Sequence, residues 1–473
     1  MIRLLFLLTL VAVQVRAAQP NILLLIGDNW SYEHAAANGD KAVRTPVFDR
    51  MCREGMRFTN AFCPVPSCSP TRSCIVTGRV AHQLEDAASL WSKFPGKFRV
   101  FGDDLSKAGW HVGFTGKGWS PGNYKDFGRD FNPAGAQFED FAGFLKERKE
   151  KQPFFFWLGS THTSLNKWQE GTGRTRGIDP AKVRVPKSLP DVPEIREEIT
   201  DYLAQVELME EAFGEAVALL EKSGELDNTV VIHTGDNGWQ MPHGLAHCYD
   251  HGTRVPLAVR WPGKVKAGAV SDEFVSLTDL APTFLEIVGL KAWPEMTAHS
   301  FVDVLTGKPP AVKRDAMFIE RERHANVRRG DLSYPVRGIR TAEYLYLRNL
   351  RPERWPAGDP ELYFAVGPYG DIDGSRTKAY MMAHADDPAV KPLFELSFGK
   401  RPAEELYDLK TDPDQIVNLA ADPAYAGVKD GLGARVDGWM RETHDPRIDP
   451  ATNVWDSYPY FGSLAKALRE AKK

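Results

Sequence analysis

In the stretch Pro66-Ser67-Cys68-Ser69-Pro70-Thr71-Arg72-Ser73-Cys74-Ile75-Val76-Thr77-Gly78-Arg79, a cysteine stands two residues before a proline and four before an arginine. A disulfide, a metal ligand and a catalytic group are all conceivable there. The chain has five cysteines, Cys52, Cys63, Cys68, Cys74 and Cys248, an odd number that leaves at least one thiol without an internal partner. So few cysteines in 473 residues make a poor disulfide framework, and their spacing fits no zinc pattern. Two acid–amide pairs, Asp28-Asn29 and Asp236-Asn237, offer only oxygen ligands, which suits a hard cation such as Ca2+ or Mg2+. Asp-Asn is also ordinary turn chemistry, so either pair alone says little. Two pairs at equivalent places, in one chain with a reactive-looking cysteine, point toward a metal.

The elements that position these residues read as α/β. Asn21–Ile26 is a continuous apolar run that ends in Gly27-Asp28-Asn29, the pattern of a strand buried on both faces and followed by a polar loop. The run from Pro153 to Gly159 leads likewise to Ser160-Thr161-His162, and Thr229–Thr234 leads to Gly235-Asp236-Asn237. Helical patterns lie between them at Phe101–Ala108, Phe138–Lys149 and Ile195–Ser223. This alternation predicts a mostly parallel sheet flanked by helices, with ligands bound beyond the carboxyl ends of its strands. Asp28/Asn29, His162 and Asp236/Asn237 all sit at such ends, so they are expected to share one site. Beyond about Val312 the texture changes to alternating Tyr344-Leu345-Tyr346-Leu347, then Glu405–Leu409 and a last helix over Ala426–Thr443. The expected division is a catalytic α/β domain over residues 18–311 and a smaller α+β domain over residues 312–473.

The segments "PNILLLIGDN", "CSPTRSCIVTGR", "TGKGW" and "HTGDNG" occur in the order found in type I sulfatases, and the chain resembles that family of the alkaline-phosphatase-like superfamily. The cysteine motif, Cys68-x-Pro70-x-Arg72 followed by Thr77-Gly78-Arg79, is the most specific of them. "SYPVRGIRT", "ELYDLKTDPDQIVNLAADP" and "ETHDP" resemble the heparan N-sulfatase (sulfamidase) branch. The resemblance implies that Cys68 is oxidised to Cα-formylglycine by dedicated machinery acting on the unfolded chain, and that its hydrate is the nucleophile. It implies metal ligation by Asp28, Asn29, the modified Cys68, Asp236 and Asn237. It gives Arg72 the task of holding the nucleophile and Lys117 that of binding sulfate. The chemistry agrees: an anionic ester needs fixed positive charge, and a helix starting near Pro70 would aim its positive end at the nucleophile. Cys74 reads as a small buried hydrophobe.

Four positions depart from the family pattern. Asn29 replaces the second acid of the first pair, Trp119 stands two residues after Lys117 where a histidine is usual, Ser164 replaces the second histidine of an HxPH-like segment, and Leu245 occupies the place of a lysine or arginine. His162 and His243 are therefore catalytic candidates, with His247 beside them, because a leaving group needs a titratable donor. For substrate binding the candidates are His247 and the cluster Arg321, Arg323 and His324 in "ERERHANVRRG"; a solvated basic loop is the plainer alternative for that cluster. Trp91 could stack on a sugar or pack in the core.

Met1-Ile2-Arg3, the apolar run Leu4–Val13 and Val15-Arg16-Ala17 together read as a cleaved leader over residues 1–17, too short to span a membrane. The expected location is periplasmic or extracellular, or lysosomal in a eukaryote. A net charge of −4 gives no footprint for nucleic acid. The leading expectation is an exported hydrolase of sulfate ester or sulfamate groups on a sulfated saccharide. A phosphonate or phosphodiester hydrolase, and a degenerate sulfatase that only binds sulfated polysaccharide, are the alternatives.

Overall fold

The strand Asn21–Gly27 is buried along its whole length, and its side chains divide by parity. Ile22, Leu24 and Ile26 enter one core cluster, and Leu23 and Leu25 enter another on the opposite face. Phe154–Ser160 and Thr229–Gly235 flank it and divide in the same way. This is the period-two geometry of strands covered on both sides. Fully burying side chains such as Phe155, Phe156 and Trp157 stabilises the sheet by about 2–3 kcal/mol each.

The computed structural model describes residues 19–361 and 367–462, and the expected leader lies outside them. From one edge to the other the large sheet runs Ala269–Ser276, Met56–Phe62, Leu257–Arg260, Thr229–Gly235, Asn21–Gly27, Phe154–Ser160, His111–Gly116 and Ala136–Gln137. Leu257–Arg260 is antiparallel to both neighbours, and the remaining pairs are parallel. This is the mostly parallel sheet anticipated above.

The ten-residue helix Cys68–Thr77 is wholly buried and sends Cys74, Ile75 and Val76 into one core. The thirty-residue helix Pro193–Lys222 covers the other face through Ile195, Ile199, Val206 and Phe213. The helix expected near Pro70 starts two residues earlier, at Cys68. Pro70 is then its third residue, where an absent N–H removes no intrahelical bond. The helix expected over Phe138–Lys149 is shorter, Phe141–Glu147, because Asp140 caps it by accepting from the Gly143 N–H at 2.6 Å.

A second, antiparallel sheet runs Ala316–Arg321, Val336–Thr341, Tyr344–Asn349 and Glu404–Asp408. Ile339, Tyr346 and Leu406 on one of its faces pack under the helix Ala426–Glu442. On the other face Ile319, Val336 and Leu345 meet Phe62, Tyr249 and Phe274 from the large-sheet half. Among the described residues no helix is long and apolar enough to cross a membrane.

Candidate active site

Register brings the loops together. Gly27 pairs with both Ser160 and Gly235, so three central strands end level. The Asp28 N–H donates to Ser160 O at 3.0 Å, the Asp236 N–H to Gly27 O at 2.9 Å and the Lys117 N–H to Gly159 O at 2.9 Å. Gly116, with φ +68°, makes the turn into Lys117, and a Cβ there would lie 2.0 Å from Gly159 O.

Asp28, Cys68 and Asp236 form one buried cluster, with ligand atoms within 4.8 Å of one another. The Cys68 Sγ–H faces Asp28 Oδ1 at 3.4 Å and Asn29 Oδ1 at 3.7 Å. Lys117 Nζ donates to Asp28 Oδ1 at 2.5 Å. Arg72 Nε donates to Asp236 Oδ2 at 2.8 Å, and its Nη1 donates to the Lys117 and Gly118 carbonyls at 2.5 and 2.8 Å. Arg72 Nη2, 3.8 Å from Asp28 Oδ1, has no hydrogen-bond partner among the described residues. Burial pushes the Asp28 carboxyl up, but the Lys117 ammonium and Arg72 guanidinium overcome it and hold the group well below the usual carboxylate range. Burial pushes Asp236 up, partly opposed by Arg72. Burial and the Asp28 charge raise the Cys68 thiol well above its ordinary value, so an unmodified Cys68 is protonated and poorly nucleophilic at neutral pH.

The donor set fits a hard cation. Asp28 and Asp236 supply carboxylate oxygens, and Asn29 presents Oδ1 to the cluster. Asn237 Oδ1 is buried and has no hydrogen-bond partner among the described residues, an acceptor that a cation would satisfy, while its Nδ2 donates to Asn29 Oδ1 at 2.6 Å.

The remaining candidates separate. Ser164, not His162, reaches the cluster: its hydroxyl donates to Asp28 Oδ2 at 2.5 Å, and the Thr163 hydroxyl donates to the Asp28 carbonyl. His162 instead lines a cavity of about 390 Å³ with Asp140, Phe141, Leu158 and Glu215. His243 lies flat on Tyr249, with ring centroids 3.9 Å apart, and both His243 and His247 are buried. Burial, then Arg401, depresses His243; burial, then Arg321, depresses His247. The His243–Ala246 loop touches the cysteine turn, since the Ala246 N–H donates to Pro66 O at 2.8 Å.

"ERERHANVRRG" is not a solvated loop. Arg321 is 3% exposed and donates to Asp371 Oδ2 at 2.5 Å and to Pro356 O at 3.0 Å. Arg323, 1% exposed, donates to the Asp331, Tyr458 and Pro459 carbonyls. His324 Nδ1 lies 2.8 Å from the Ser67 hydroxyl, beside Cys68, and burial pushes its pKa down to about 4. Ser67 thus spends its hydroxyl on His324 rather than on capping the Cys68 helix. Trp119 turns into the core, where its Nε1–H donates to Ser73 Oγ at 2.8 Å. Trp91 is half-buried with φ +53°.

Three polar residues went unseen in the sequence. Asp371 gathers Arg321, Arg328 and the Ala325 N–H; burial opposes its charge, but Arg328 and Arg321 bring its pKa down to about 2. Gln240 links Asn29 to Asp373. The only sequence signal for Asp371 and Asp373 was their spacing in "YGDIDGS", an unremarkable loop pattern.

A buried carboxylate–cysteine cluster at strand ends, opposed by a lysine and an arginine, is built to hold a cation and receive an anionic ester. Residues 20–290 match the family model described as Sulfatase, and the chain belongs to that family of sulfate-ester hydrolases. Within it, residues 240–357 match the model described as N-sulphoglucosamine sulphohydrolase, C-terminal. The chain is 28% identical to the N-sulphoglucosamine sulphohydrolase of Homo sapiens over 92% of each chain. It is 26% identical to an ulvan-active sulfatase of Formosa agariphila, covering 90% of this chain and 81% of that one. Its fold is also like that of the phosphonate monoester hydrolase of Agrobacterium radiobacter, with a TM-score of 0.65 at 17% identity over 90% of this chain and 96% of that one.

Proposed function

We propose that the chain is an exported enzyme that removes sulfate ester or sulfamate groups from a sulfated saccharide. In this reading Cys68 is converted to formylglycine by the host's generating machinery, and Asp28, Asn29, Asp236, Asn237 and the modified residue hold Ca2+, or Mg2+ in its place. A domain over residues 18–311 carries the centre, and a smaller one over residues 312–473 supplies the loop of Asp371 and Asp373. The observation that carries the reading is the Asp28–Cys68–Asp236 cluster at a helix amino terminus, with Lys117 and Arg72 against it. When bound, the cation would polarise a sulfate oxygen and offset developing charge. Lys117 and Arg72 hold fixed positive charge where the anion arrives, and the depressed Asp28 stays ionised as an oxygen donor. Protonation of the leaving group falls to His243, whose loop touches the cysteine turn, rather than to His162, which faces the cavity beside Asp140, and substrate contacts fall to His247, Arg321, Arg323 and His324. His324 has the most direct link to the cysteine turn, through Ser67. The names of the human and Formosa relatives support a sulfated sugar as substrate.

The likeness of fold to a phosphonate monoester hydrolase favours one second reading, hydrolysis of phosphonate monoesters or phosphodiesters at the same centre. The test sets sulfated amino sugars, with N- and O-sulfate separately, beside phosphonate monoesters and phosphodiesters, using enzyme made with the formylglycine machinery. Sulfate release that Cys68→Ala abolishes supports the first reading, and faster phosphonate turnover supports the second. If His243→Ala leaves turnover unchanged, the acid–base assignment falls.

A further inference from the structure

Asn29 poses a problem that an aspartate would not. A carboxylate offers an oxygen whichever way it is turned, whereas an amide offers Oδ1 on one side and a repelling NH2 on the other. For Asn29 to serve a cation, something must hold that amide oxygen-inward. Its backbone does not do so: φ is +61°, a region asparagine tolerates, and its N–H is engaged with Asp236 Oδ1 at 2.9 Å.

The neighbouring polar groups settle the orientation in sequence. The Leu165 backbone N–H, which can only donate, lies 2.6 Å from one side-chain atom of Gln240, so that atom is the acceptor Oε1. Gln240 Nε2 therefore points the other way, where it donates to Asp373 Oδ2 at 2.5 Å; a carboxylate can only accept when ionised. The Asn29 atom 2.8 Å from Gln240 Oε1 must then be Nδ2. That leaves Asn29 Oδ1 turned into the cluster, 3.7 Å from Cys68 Sγ and 2.6 Å from Asn237 Nδ2.

We infer that Gln240 and Asp373 are a positioning pair that locks the Asn29 amide with its oxygen toward the cation, compensating for the carboxylate this chain lacks there. The inference rests on the proposed cation site. It assigns a task to Gln240, three residues beyond Asn237, and to Asp373, which lies far away in sequence and touches no proposed ligand directly. Leu165 sits directly after Ser164, the Asp28 partner, so one short segment sets both members of the Asp28-Asn29 pair.

The test is calcium affinity of the full chain, read by calorimetry and by calcium-dependent thermal shift, for wild type, Gln240→Ala, Asn29→Asp and the double variant. Gln240→Ala frees the amide, and the expected loss of calcium affinity is about tenfold, in the range for partners that orient a ligand. In the Asn29→Asp background the same change should cost no affinity. It should instead raise it, because Gln240 Oε1 faces the introduced carboxylate. Asp373→Ala should weaken binding in the same direction as Gln240→Ala. Equal affinity of wild type and Gln240→Ala, or an equal loss in both backgrounds, overturns the locking role and leaves the cation site standing. A wild type that binds no divalent cation overturns the site and the inference together.

Discussion

Lys117 Nζ lies 2.5 Å from Asp28 Oδ1, the shortest contact between a cation and a carboxylate in the buried cluster. Lys117 keeps Asp28 ionised against burial, and in the function proposed above it has a second task, presenting positive charge to an arriving anion.

Lys117→Met should separate those tasks. Turnover should fall about 10²–10³-fold, the scale for losing one charge-stabilising donor. With the Lys117 charge gone, burial raises the Asp28 pKa, so calcium-induced stabilisation should disappear at a higher pH than in wild type. Thermal shift across the acid range checks the second effect independently of turnover. Burial also raises Asp236, which Lys117 opposes as well, so an unmoved acid limb would show that Lys117 does not hold the carboxylates of the cluster ionised.

Arg321 should prove structural as well as functional. Its guanidinium is buried against Asp371, so Arg321→Ala removes one of that carboxylate's two arginine partners and, with Arg328 still in place, should cost about 1.5–3 kcal/mol in denaturant unfolding. A raised KM with unaltered stability would instead mark it as a substrate contact alone.

The Glu33–His251–Asp414 bridge predicts a pH-dependent stability. Burial alone would depress His251, but Glu33 and Asp414 raise it to about 10, with His34 and Asp40 also nearby. A pKa raised above its unfolded value of about 6.5 gives stabilisation that is complete below that pH and is lost as pH rises toward 10. The difference in Tm between wild type and His251→Gln should be largest at about pH 6 and shrink toward about pH 10. A constant difference would show that the imidazolium charge contributes nothing.

Chelation should lower Tm reversibly. A cation at 100 times its Kd adds about 2.7 kcal/mol to the folded state, so restoring calcium to chelated enzyme should return a shift of that order. Asp236→Ala should abolish the response. A response that survives this change would place the ion elsewhere.

The sequence made the sheet legible because its central strands are covered on both faces, so Asn21–Gly27 and Thr229–Gly235 stand out as unbroken apolar runs. The acid–amide pairs were legible for the same reason, since whatever follows such a run lies at a strand end. What escaped were side chains whose direction depends on loop conformation. Ser164 and His162 are two residues apart in one turn, and spacing does not say which faces Asp28. Arg321 and Arg323 read as a basic loop because their partners, Asp371 and the Tyr458 and Pro459 carbonyls, are supplied from far along the chain. Trp119 was legible as a loss but not as a gain, because the indole's new partner, Ser73, lies on the Cys68 helix.

The most direct test of the account is the mass of the peptide containing Cys68, from enzyme made in a host that carries the formylglycine machinery. A converted Cys68 gives a peptide lighter than the thiol form by the replacement of the side-chain SH and one hydrogen with a carbonyl oxygen, and the converted fraction should track sulfate release across preparations. A wholly unmodified thiol in protein that still releases sulfate would contradict it.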